Sequence, residues 1–130
     1  MDLNYRRIGT VALTGIWVSA SEFLRNEVFL KKYWVDHYQS MGMIFPSEPL
    51  NGILWIVWSF LFAAAIYIIS GKFDLIQTTF ISWFMAFVMM WIVAWNLHVL
   101  PLALLLYAFP LSLLEAFIGA YICRKMSLNG

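Results

Sequence analysis

Apolar residues run along this chain in four long stretches separated by short polar interruptions, and the interruptions mark the elements. Residues 8–21 carry no charge, nor do 52–70 (GILWIVWSFLFAAAIYIIS) or 75–97, and 101–122 carry only Glu115. Nineteen helical residues rise ~28 Å, about one hydrocarbon core. The first uncharged run covers only ~21 Å, so its helix must continue through Glu22, Arg25 and Asn26 to about Lys32. The pattern predicts helices over about 8–32, 52–70, 75–97 and 101–122, with a loop over 33–51. The fold class is all-α: an antiparallel, integral-membrane bundle of four transmembrane helices, one domain over 1–130, with both termini on the same side.

The interruptions have helix grammar. Pro46-Ser47-Glu48-Pro49 is an entrance, with Ser47 as cap, an acid near the positive end of the dipole and proline where no amide donor is needed. Gly71-Lys72-Phe73-Asp74 is short enough to make its two helices antiparallel neighbours. Pro101 stops the third helix, and Pro110 should kink the fourth. Residues 8–21 after Arg6 and Arg7 also invite a signal-peptide reading, with Val18-Ser19-Ala20 like a cleavage site. The start of a transmembrane helix is the reading taken.

Within the helices, polar residues fall on stripes. Ile8, Ala12, Gly15, Ser19, Glu22 and Asn26 alternate spacings of four and three, which puts small and then polar residues on one face toward a bundle interior. Thr78, Ser82, Met85, Met89 and Asn96 form such a face on the third helix. Ser112, Glu115, Gly119 and Cys123 form one on the fourth.

Composition agrees with the pattern. The 130 residues are 63% hydrophobic and 12% charged, with a mean hydropathy of +0.80. Eight Lys/Arg against seven Asp/Glu argue for no nucleic-acid or acidic partner. The lipid bilayer is the implied surroundings. A single cysteine, Cys123, excludes an internal disulfide. Arg6, Arg7, Lys72, Arg124 and Lys125 on one side outnumber Arg25, Lys31 and Lys32 on the other, so both termini are expected in the cytoplasm and the chain in a plasma or inner membrane. Trp34, Trp55 and Trp95 then form the outer aromatic belt, with Tyr5, Tyr67 and Tyr121 at the inner one.

Candidate chemistry lies in two places. Ionisable residues inside a span are costly, and Glu22, Arg25, Asn26, Ser82, Asn96 and Glu115 form the candidate intramembrane proton or substrate site. Counted from Ile8 and Ile122, Glu22 and Glu115 lie ~21 and ~10 Å from the inner boundary, in different layers. Arg25 is three residues from Glu22 and available to it, whereas Glu115 is expected to rely on neighbouring hydroxyls. The alternative for both acids is an interhelical hydrogen bond that fixes the bundle. On the outer side, Asp36, His37, Glu48 and His98, with Glu27 a turn below, are the residue types that hold a transition metal. Their spacing matches no metal motif, and no Gly-rich phosphate loop or nucleophile elbow is present. No cofactor is expected.

The polar-tailed first helix, YWVDHYQSMGMIFPSEPLNG, the Trp-rich second span and PLSLLEAFIGAYI resemble, in layout, uncharacterised four-helix bacterial membrane proteins, a resemblance that implies no activity. The size and the first-span acid are also similar in outline to small multidrug-resistance transporters, which act as dimers around such a glutamate. Here the acid is followed quickly by Arg25 and Glu27. Three roles follow as expectations. The first is an accessory or assembly subunit, a homo-oligomer or part of a larger membrane complex. Next comes a proton-linked transporter or channel working as an oligomer, and then a membrane enzyme at His37 and His98.

Overall fold

The computed structural model describes residues 3–128, and all regular structure among them is helical. Helix α1 (Leu3–Phe23) runs without a break into a wide, π-type turn, Leu24–Phe29. After Leu30 comes α2 (Lys31–Ser40), then α3 (Pro49–Ser70), α4 (Leu75–Trp83), a second wide turn (Phe84–Val88), α5 (Met89–Asn96) and α6 (Leu105–Leu128). The stretch expected as a loop over 33–51 thus holds a helix. Helix α2 exposes Asp36, Gln39 and Ser40 and buries no residue fully.

Local chemistry sets the helix ends. Glu48, one residue after the expected cap, takes the cap position of α3, because Pro49 occupies the first turn where no amide donor is required. Its backbone N–H donates to Asn51 Oδ1 at 2.9 Å. Asp74 caps α4 reciprocally with Gln77: the Gln77 amide donates to Asp74 Oδ1 at 2.8 Å, and the Asp74 amide to Gln77 Oε1 at 3.2 Å. Asp74→Ala is therefore expected to lower stability by about 1 kcal/mol, with Asp74→Asn close to wild type. Chemical unfolding in detergent, followed by circular dichroism, measures the difference; equal stability of the two variants would remove the cap from the account. Helix α5 ends with His98 at φ +62°, where its amide bonds to the Trp95 carbonyl and the Val99 amide to that of Ala94. That is the six-to-one closure usually built on glycine.

Helix α1 packs on α3 and α6, and α4 packs on the same two. Helices α1 and α6 are antiparallel, since Arg6 Nη2 donates to the Met126 carbonyl at 2.6 Å and Trp17 Nε1 to that of Glu115 at 3.0 Å. Small residues permit the approach: the Phe60 ring of α3 lies on the bare Cα of Gly15, and Ile66 Cδ1 on that of Gly119.

The interior is poor in bulk and rich in hydroxyls. Thr14, Ser59, Thr78, Ser82 and Ser112 are buried beside Val18, Ile66, Phe87 and Ala116, while Ile8, Leu61, Ile68 and Leu106 point outward. Thr14 and Ser59 satisfy themselves by donating to carbonyls one turn back, those of Thr10 and Trp55. Three helical stretches, Pro49–Ser70, Leu75–Asn96 and Leu102–Ser127, are long and apolar enough to cross a membrane.

The wide turn at Phe84–Val88 divides the expected stripe on the third helix. Thr78 and Ser82 are buried, but Met85, Met89 and Asn96 are exposed, and Phe87 takes the buried face instead. An extra residue per turn rotates everything beyond it by about 100°, so the stripe drawn with an α period loses its face after Ser82.

Candidate functional site

Glu22, Arg25, Asn26 and Glu115 meet in the interior. Arg25 Nη2 donates to Glu22 Oε1 at 2.5 Å, and Nη1 reaches Glu115 Oε1 at 3.4 Å. Its guanidinium carbon also lies 4.9 Å from the centre of the Phe87 ring, close enough for cation–π attraction. The second oxygen of Glu22 accepts from Asn26 Nδ2 at 3.0 Å and from Trp55 Nε1 at 3.1 Å. Asn26 Oδ1 in turn accepts from Trp34 Nε1 at 3.1 Å. Glu115 is fully buried, and its Oε2 makes no hydrogen bond among the described residues.

Glu115 therefore reaches Arg25 and does not rely on hydroxyls alone, although counting along the chain put the two acids in different layers. Helix α6 continues past Ile122 to Leu128, and Arg6 is level with Met126. From that level Glu22 is ~24 Å along α1 and Glu115 ~16 Å along α6, an offset of ~8 Å. Side chains lean toward the N-terminus of their own helix. In α1 that direction is back toward the termini, and in the antiparallel α6 it is away from them, so Arg25 and Glu115 lean toward each other and close the gap.

Glu22, Arg25 and Asn26, but not the fully buried Glu115, line a cleft of about 450 Å³ at the end of the bundle opposite the termini. Trp34, Trp55, Trp58 and Trp91 wall it, with Tyr38, Phe45 and Leu104. Its size and its apolar wall around a few convergent polar groups suit a small organic ligand. Another cleft, of about 710 Å³, runs between α1 and the start of α3, and Glu22, Asn26 and Trp55 line both. The Trp55–Glu22 hydrogen bond is part of the partition between them.

Two of the other expected site residues stand apart. Ser82 is buried with an Oγ that finds no partner among the described residues, and it lines neither cleft. Asn96 is exposed at the end of α5. Trp58 and Trp91 carried no expectation. The signal for Trp58 was its spacing of three from Trp55, whereas Trp91 reaches the cleft only through the wide turn before it.

On the outer rim, His37 and His98 meet, but through ring and backbone: His37 Nε2 lies 2.7 Å from the His98 carbonyl oxygen. A carbonyl only accepts, so Nε2 carries the proton in this contact. Asp36 and Glu48 are exposed, and no three His, Cys, Asp or Glu side chains gather as a metal-binding group among the described residues. On the same side, the Tyr107 hydroxyl beside Tyr33 raises the Tyr33 phenol above its ordinary range. Set beside known proteins, the chain matches no family model, no curated protein and no solved structure, which leaves the chemistry of the cleft as the guide to its role.

Proposed function

We propose that the chain is a four-helix integral membrane protein, both termini cytoplasmic, that works as an oligomer and exchanges a small, largely apolar organic cation for a proton at Glu22. The observation that carries this reading is the position of Glu22: it borders both clefts while two carboxylates, its own and that of Glu115, share the single guanidinium of Arg25. With all three ionised the cluster holds one net negative charge in a poorly solvated place, which either a proton or a cation would neutralise. Aromatic walls favour a cation with apolar substituents. Bulky side chains facing outward on every long helix support the bilayer as surroundings.

The test is exchange in proteoliposomes that enclose a pH dye. Tetrabutylammonium added outside is expected to drive proton release from the lumen with wild type and not with Glu22→Gln. Trp91→Leu is expected to raise the half-saturating concentration ~5-fold, the loss of one cation–π face. Exchange by Glu22→Gln at the wild-type rate would remove Glu22 from the mechanism. A second reading, an accessory or assembly subunit, is favoured by the same outward apolar surface, which suits a partner helix as well as lipid. Recovery of the gently purified protein in a stoichiometric complex, with no exchange in vesicles, would establish it instead.

A further inference from the structure

A third cleft lies at the opposite end of the bundle, beside the termini, and its chemistry is unlike that of the other two. It encloses about 380 Å³ between α1, the end of α3 and the end of α6, and Arg7, Tyr67, Ser70, Arg124 and Ser127 line it. Two arginines from different helices thus line one space, and among the described residues no carboxylate lines it. Like charges brought together in this way repel unless an anion lies between them.

The two arginines are not placed like their neighbour. Arg6 is occupied by the Met126 carbonyl. Arg124 is held across the α3–α4 connector by one nitrogen, Nη1 donating to the Phe73 carbonyl at 2.9 Å, which fixes the guanidinium and leaves its other N–H groups for a ligand. Arg7 makes no side-chain hydrogen bond or ion pair among the described residues. Ser70 and Ser127 have hydroxyl hydrogens occupied by the carbonyls of Tyr67 and Cys123, so the arginines are the donors an anion would find. Ile68, on the same wall, is 70% exposed and continues the cleft into the outward apolar surface.

We infer that this cleft binds a phosphate group between Arg7 and Arg124, and that the phosphate belongs to an anionic phospholipid whose acyl chain lies along Ile68. Guanidinium matches phosphate geometry with paired N–H groups. The continuity with Ile68 favours a lipid over a free ion, because a free phosphate gains nothing from that side chain. The inference rests on residence in a membrane and is independent of transport through the aromatic cleft.

The experiment is native mass spectrometry of the full chain released from nanodiscs of mixed phosphatidylglycerol and phosphatidylcholine. Wild type is expected to retain phosphatidylglycerol selectively. The double variant Arg7→Gln/Arg124→Gln is expected to lose that retention by about 10-fold more than Lys72→Gln/Lys125→Gln, which removes the same charge from exposed positions outside the cleft. Because Arg124 also holds the connector, Arg7→Gln alone is the second variant, expected to show a smaller loss with wild-type helicity. Equal loss in the two doubles, or no preference in wild type, would overturn the site. Inorganic phosphate, titrated into the phosphatidylglycerol-bound protein in neutral detergent, separates the sources: millimolar phosphate displacing phosphatidylglycerol would overturn the lipid assignment in favour of a free-anion site. Alkaline carbonate extraction of the native membranes reports on membrane residence by itself.

Discussion

Arg25→Met is expected to destabilise the fold by about 3–5 kcal/mol, while Glu115→Gln stays within about 1 kcal/mol of wild type. The difference follows from charge. Arg25 is 6% exposed and, among the described residues, is the one cation in contact with both Glu22 and Glu115. Methionine fills much of the same volume beside Phe87 but leaves two carboxylates facing each other in the interior. Glutamine at position 115 keeps shape and hydrogen-bonding capacity, and it leaves Arg25 paired with Glu22 as a neutral couple. Equilibrium unfolding in mixed micelles gives both values. If Arg25→Met proved no more harmful than Glu115→Gln, the ion cluster would not hold the bundle together.

The next largest effect is expected at Gly15. A Cβ there would lie 2.3 Å from the Phe60 ring, far inside contact distance. Gly15→Ala must turn or push that ring, at about 1–3 kcal/mol. Gly15→Leu cannot be accommodated by the ring alone and is expected to force α1 from α3, with a cost above that range and loss of the Trp55–Glu22 hydrogen bond. Pairing Gly15→Ala with Phe60→Ala tests the cause, since the smaller ring position should recover most of the loss. Failure of that rescue would mean that the glycine matters for some reason other than the contact with Phe60.

Much of this was legible from residue order alone. The small-to-polar stripe drawn from Ile8 to Asn26 does face other helices from Gly15 onward, although Ile8 at its start points outward, and the short connector at residues 71–74 does join neighbours, because both follow from local periodicity and chain length. The meeting of Arg25 with Glu115 was not legible. It depends on where α6 ends and on the opposite lean of side chains in antiparallel helices, neither of which is written in either segment by itself. Helix α2 was hidden for a different reason: its apolar and polar residues serve the cleft rim, so it lacks one clean buried face. Asn96 was misplaced by the turn at Phe84–Val88, whose extra residue leaves no mark in an apolar run where every position is compatible with several faces.

The two wide turns also bear on how the length of this chain can change over generations. A π-type turn is an α-helix that has taken in one extra residue. Removing a residue from 84–88 would let the hydrogen bonds return to ordinary pitch while the faces on either side keep their directions. The same deletion in the middle of α3 would turn one half by about 100° against the other and bring Trp58 or Phe60 to where Ser59 now sits. Insertions and deletions in descendants of this sequence should therefore collect at 84–88. The turn at Leu24–Phe29 is equally elastic in geometry but holds Arg25 and Asn26, so there the freedom to change length is opposed by the charge it would displace.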